Sequence, residues 1–181
     1  MAVKTSLRPP RFAAWRGGFE DFVNEDAKKK LLQMVPHALY VLTSQTPFDQ
    51  VASTVSWLTQ ASFDTPLLMV AVRRDTDTYH VVHQSHAFVI NFLGKEQASI
   101  AQKFFKHAEL KEGTLSGEAF ELTPVLGFAY FPHLAGYLEC RVTDEVDRGD
   151  HTVLVAQVVG ADLKTAEGPL LLSSTKWQYG G

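Results

Sequence analysis

Apolar residues first recur with helical spacing in the stretch FEDFVNEDAKKKLLQMV, which predicts a helix over residues 21–34 that Pro36 closes. ALYVLTSQ (38–45) then reads as a strand and TPFDQ as a turn. Further strands are expected at 50–57, 58–63 and, wholly apolar, at 67–72 after Pro66. TDTYHVVHQS (76–85) suits a short helix and AFVINFL (87–93) a central strand. KEQASIAQKFF (95–105) predicts an amphipathic helix with Ile100, Phe104 and Phe105 on one side. Residues 106–134 are broken by Gly113, Gly117, Pro124, Gly127 and Pro132, so mostly loop with one or two short strands is expected. AGYLECRVTDEVD (135–147) alternates, HTVLVAQVVGADL (151–163) is rich in valine, and DRGD (147–150) makes a tight hairpin turn between them.

Six or more strands joined by hairpins, with two or three helices laid on them, predict a mainly β fold with peripheral helices. The strands are expected to close, or nearly close, into one antiparallel barrel. Pro9-Pro10 and Gly17-Gly18 mark residues 1–18 as an N-terminal arm, leaving 19–181 as a single domain.

Composition narrows the chemistry. A net charge of −3 gives no electrostatic footing for nucleic acid or an anionic membrane. No apolar run is long enough to span a bilayer, and the N-terminus lacks the apolar segment of a secretory signal. Cys140 is the only cysteine, so no intrachain disulfide forms; a cytoplasmic setting and an inert core thiol are expected. Glycine-rich phosphate loops, G-x-S-x-G, H-E-x-x-H and paired cysteines are all missing. His80, His83 and His86 fan across a helix with no carboxylate at helical spacing to complete a shell, so no metal is expected.

What stands out is VASTVSWLTQAS (51–62), a strand segment dense in short hydroxyls. Ser53, Thr54, Ser56, Thr59 and Ser62 either pair across strands, or line a planar heteroaromatic ligand with their neighbouring amides. A flavin demands this mixture: donors for its pyrimidine edge and ribityl chain, apolar walls for its benzenoid edge. Its phosphate needs cations and hydroxyls. VRRDTDTY supplies Arg73, Arg74, Thr76 and Thr78 just where a strand runs into a helix N-terminus.

Together with FVINFL, TPVLGFAYFPHLAGYLECRVTDEV and GDHTVLVAQVV, these segments resemble the flavin reductase-like, FMN-binding split-barrel proteins, in order, over about residues 36–163. The resemblance implies a six-stranded antiparallel split β-barrel that holds FMN, or FAD in some members, at a homodimer interface. It also implies NADH or NADPH as co-substrate and, in many members, release of reduced flavin to a partner oxygenase. By position, Thr54, Val55, Ser56 and Trp57 match the stretch beside the isoalloxazine and ribityl chain, and Thr59 and Ser62 would extend that wall. Ala71, Val72 and Arg73 would present backbone to the ring, and Arg74, Thr76 and Thr78 fall on the phosphate grip. His151 matches a histidine near the nicotinamide or flavin face, and Asn91 a recurrent asparagine for which a structural role is expected. Val55 stands where alanine is frequent, and Asp75 and Asp77 interrupt the phosphate ligands. Trp177 or Tyr179 would cover a flavin face or dock on a dimer partner. Two other classes remain compatible with the sequence: a flavin-binding electron carrier or sensor, and a barrel that has lost its flavin and serves as an interaction module.

Overall fold

In the computed structural model the described residues are 24–177. The expected N-terminal arm and Tyr179 lie outside them. Residues 24–35 hold one helix, α1 (Glu25–Gln33), opened by Asn24, whose Oδ1 accepts the Ala27 amide at 2.9 Å. It starts later than the apolar spacing suggests because that cap fixes its first turn. Lys28, Lys29 and Lys30 are all exposed on it.

The body, from Pro36 onward, is built on seven strands: β1 (Tyr40–Gln45), β2 (Gln50–Val55), β3 (Leu58–Ser62), β4 (Leu67–Arg73), β5 (Ala87–Phe92) and, after several short elements, β11 (Gly136–Arg148) and β12 (His151–Leu163). Helix α2 (Asp77–Ser85) lies between β4 and β5, and α3 (Ala98–Lys103) follows β5. The 106–134 segment carries five two-residue strands: β6 (Leu110–Lys111), β7 (Thr114–Leu115), β8 (Glu118–Ala119), β9 (Glu121–Leu122) and β10 (Ala129–Tyr130). They form a three-stranded and a two-stranded patch.

The expected six-stranded split barrel, closed or nearly closed, is not confirmed. The sheet has seven strands in the order β2-β1-β5-β11-β12-β4-β3, paired antiparallel throughout, with β2 and β3 at its open edges. Those edge strands are nevertheless consecutive in the chain, joined only by Ser56 and Trp57. A two-residue link reaches only about 10 Å, so the sheet must roll until its edges approach at that corner, without a ladder closing it. The 50–57 and 58–63 segments are thus separate strands on opposite edges, which raises the count.

Alternation puts one core on each face of the sheet. Leu42, Leu68, Val70, Phe88, Ile90, Cys140 and Leu154 pack together on one face, with Val82 of α2. On the other, Leu39, Val41 and Leu93 meet Ala101 and Phe104 around α3, and Phe131 and Leu134 from the loop-rich segment. Asn91, fully buried, ties the two parts of this second core. Its Nδ2 donates to the Val41 carbonyl at 3.1 Å and its Oδ1 accepts the Phe131 amide at 3.1 Å. Glu139 is fully buried as well, and Oε2 accepts the amides of Val125 and Leu126 at 3.2 and 2.6 Å.

Candidate functional site

Strand β2 fastens two helices through adjacent residues. Thr54 points to α3: its amide donates to the Phe104 carbonyl at 2.9 Å and its hydroxyl to the Ala101 carbonyl at 2.7 Å. These bonds take up carbonyls at the C-terminal end of α3, which stops at Lys103 rather than running to residue 105. Phe104 is then buried, whereas Phe105 turns outward to meet the Trp177 ring edge-on at 4.7 Å. Thr54 therefore serves cohesion, and Trp177 docks on its own chain.

Ser53 points the other way. Its hydroxyl shares a 2.6 Å hydrogen bond with that of Thr78, which is buried in the first turn of α2. Thr76 caps that helix: its hydroxyl accepts the Tyr79 amide at 3.3 Å and donates to the Arg73 carbonyl at 2.7 Å. Around this junction opens a cavity of about 240 Å³ lined by Ser53, Asp75, Thr76, Asp77, Thr78 and, from the loop after α3, Phe105, Lys106, His107 and Ala108, with Val51 and Ala52 behind. Thr76 and Thr78 thus come together as their spacing suggested. Arg73 and Arg74 do not line it. Arg73 turns back on Asp75 in a bidentate pair at 2.8 and 2.7 Å, which holds the guanidinium above, and the Asp75 carboxyl below, their ordinary values. The cation at the cavity is Lys106, with His107 Nδ1 3.1 Å from Asp77 Oδ2. Neither Lys106 nor His107 carries a sequence signal of its own; the 53–54 fastening of α3 delivers them.

A second cluster lies where β3, β4 and β12 meet. The Trp57 and His151 rings stand 4.5 Å apart at 33°. The strands set this contact: Ala71 N donates to the Trp57 carbonyl at 2.9 Å, and His151 pairs with Arg73 as Thr152 pairs with Val72. His151 Nδ1 lies 2.8 Å from Asp150 Oδ1, a hydrogen bond that keeps the Asp150 carboxyl below its ordinary value. An ionised carboxylate can only accept, so Nδ1 carries the proton, and in the neutral ring Nε2 is left as an acceptor. The Arg74 amide donates to the Asp150 carbonyl at 3.0 Å, linking this cluster to the stretch that enters α2.

Other expected residues stand apart. Val55 pairs with Tyr40 and packs against the sheet core, and Ser56 is half-buried in the link to β3. Thr59 is exposed on edge strand β3, and Ser62 donates to the Asp64 carbonyl at 3.2 Å; neither reaches the polar cavity. A larger cavity of about 670 Å³ lies where β1, β5, β11 and β12 run side by side, lined by residues such as Tyr40, Phe92, Leu138 and Leu163. No basic residue faces it, so it offers nothing to an anionic tail.

The helical histidines find a carboxylate, though from another element: His83 Nδ1 lies 2.8 Å from Glu145 Oε2 on β11. No group of three metal-binding side chains gathers among the described residues. No helix among them is long and apolar enough to cross a membrane.

Known proteins share this fold. The described fold resembles an NADH:FAD oxidoreductase from Streptomyces globisporus at a TM-score of 0.72, with 20% identity and coverage of 84% of this chain and 92% of that one. It also resembles the styrene monooxygenase flavin reductase of Pseudomonas putida S12 at 0.67, with 25% identity over 79% and 90% of the two chains. In sequence, the chain is 31% identical over 116 residues to the reductase component of a 4-nitrophenol monooxygenase from Rhodococcus opacus. That match spans 62% of this chain and 58% of the relative. It is 29% identical over 149 residues to a diflavin flavoprotein of Synechocystis sp., of which it spans only 24%. The reductase component of an FADH(2)-dependent resorcinol hydroxylase from Rhizobium sp. matches at 26% over 81% of this chain and 82% of its own. Residues 32–180 match the flavin reductase like domain, and the chain belongs to that family.

Proposed function

We propose that the chain is an NAD(P)H-dependent flavin reductase. The observation that carries this reading is the 2.6 Å bond between Ser53 and Thr78, which draws the hydroxyl-rich strand and the head of α2 into one polar cavity. The one hydroxyl hydrogen left by the Ser53–Thr78 pair, a helix N-terminus and a lysine form a donor set suited to the phosphorylated tail of a flavin. At about 240 Å³ the cavity suits the tail rather than the ring. Ser53, Thr76, Thr78 and Lys106 would hold that tail, and Trp57 with His151 would stand at the ring and nicotinamide. When bound, the flavin supplies the hydride-accepting chemistry, so the protein need place no acid or base at the transfer.

What the chain contributes is orientation. Trp57 braces the His151 ring, Asp150 fixes which nitrogen carries the proton, and Nε2 is presented as an acceptor fit for an amide such as that of nicotinamide. In this reading Thr54 supports the site by fixing α3, the Arg74 backbone amide ties the chain to Asp150, and Lys106 takes the cationic role. The names of the relatives support a further element, that reduced flavin passes to a separate oxygenase. The homodimer that the family resemblance implies belongs to the same proposal.

The test is anaerobic mixing of the purified chain with FMN or FAD and either nicotinamide nucleotide. Bleaching of the visible flavin band at a rate that scales with protein is expected. A flavin that binds yet stays oxidised with both nucleotides would sink the reductase reading and leave an electron carrier. Light scattering at working concentration reads the dimer.

A further inference from the structure

The cavity at the head of α2 contains two carboxylates where a doubly charged anion would be better served by none. Asp75 and Asp77 both line it, on either side of the capping Thr76. The charge of Asp75 is matched by Arg73, which grips both of its oxygens from outside the cavity. Among the described residues Asp77 pairs with His107, at 3.1 Å, and an imidazole matches a full negative charge only when protonated. Lys106 is the one remaining full charge among the lining residues. With Asp75 matched by Arg73, Asp77 and Lys106 cancel, and the formal charge at the cavity is zero when His107 is neutral.

A neutral lining treats one charge and two charges differently. Attraction to a donor grows in proportion to the ligand's charge, while the cost of taking an ion out of water grows with its square. FMN ends in a phosphate monoester that carries close to two charges on one phosphorus above about pH 6. In FAD the same phosphorus is a diester with one charge, the second residing on the next phosphate. The cavity is open, with Asp75, Asp77, Lys106 and His107 all exposed, so a ligand can continue past its first phosphate into solvent.

We infer that this cavity selects a phosphodiester over a phosphate monoester, so that the chain takes FAD in preference to FMN, with Asp77 as the specificity-determining residue. The inference rests on the flavin-binding reading above and goes further by naming the flavin.

Titration calorimetry of the full chain with riboflavin, FMN and FAD at pH 8 tests it, in the wild type and in Asp77→Asn. FAD is expected to bind about tenfold more tightly than FMN. The substitution should strengthen FMN about fivefold to tenfold, FAD about twofold, and riboflavin not at all. Asp77→Ser, which keeps a helix-compatible polar residue, should shift the three ligands in the same direction. Wild-type affinity for FMN equal to or above that for FAD, or equal gains for both in the variants, overturns the inference. Equal binding of all three flavins shows that the phosphate is not read here, which also overturns it but leaves flavin binding standing. Binding of none removes the flavin reading, and this inference with it.

Discussion

Trp57, in the link that enters β3, and His151, at the start of β12, stand with their rings 4.5 Å apart although β3 and β12 never pair, because β4 lies between those strands and bonds to both segments. The contact fixes one face of His151 while Asp150 fixes its Nδ1. Removing the brace should therefore act through the histidine. Trp57→Ala and His151→Ala are each expected to lower kcat/KM for the nicotinamide nucleotide about tenfold, and the double variant by little more than either single one. Full additivity in steady-state assays would show that the rings act independently.

The acid limb of that activity follows from Asp150. Its carboxyl titrates below its ordinary value of 3.8, since the His151 hydrogen bond favours the ionised form. A depressed carboxyl contributes its tether above the unfolded value and loses it as pH falls through the folded one. The tether should thus be intact throughout the range above about pH 4. Asp150→Asn, an amide that no longer forces the proton onto Nδ1, is expected to alter the pH–rate profile. An unchanged profile would remove Asp150 from the positioning role.

Sequence alone assigns the phosphate to Arg74, whereas in the proposed reading Lys106 takes that role. Lys106→Ala is expected to weaken phosphorylated flavins about fivefold while leaving riboflavin unaffected. Arg74→Ala should change all three flavins by less than about twofold, because Arg74 lies outside the cavity lining. Fluorescence titration separates the two outcomes. A larger loss for Arg74→Ala would restore the arginine to the phosphate.

Asn91 bonds two buried backbone groups, the Val41 carbonyl and the Phe131 amide. Asn91→Ala strips both partners inside the core, at about 1–3 kcal/mol for each buried group left unsatisfied. A fall in Tm of roughly 4–24 °C by scanning calorimetry is expected for a chain of this size. A shift under about 2 °C would mean the backbone finds other partners.

Cys140 is fully buried, and burial first, then the neighbouring Glu139 charge, pushes its thiol up to about 12. Native protein should resist a thiol reagent at pH 8 and react fully once unfolded in guanidinium. Rapid labelling of the native chain would contradict this core placement.

Much of the frame was legible in local pattern. The helix beginning near Thr76 and the hairpin turn within DRGD are short-range signals, and each emerged where the local pattern put it, whereas two register shifts interrupt the alternation expected along β11. Strand count and closure were not legible, because they depend on Ser56 and Trp57 carrying the chain from one sheet edge to the other. Nor were the partners of Thr54, Arg73 and Glu139. A hydroxyl bound for a helix carbonyl reads like one bound for a ligand, and an arginine beside an aspartate reads like a free cation. Residues two apart can cancel each other's charge. Residues 29 apart in sequence, such as Asp77 and Lys106, can share one cavity, and only the folded chain tells which case holds.

Ser53 and Thr54 sit side by side on β2 and hold α2 and α3 in opposite directions. The aperture between those helices is accordingly set by the pleat of a single strand, before any guest arrives. A mouth held from both sides gives up less ordering on association, so discrimination among guests falls more to fit and electrostatics. Widening it would require breaking the strand's own grip on the body.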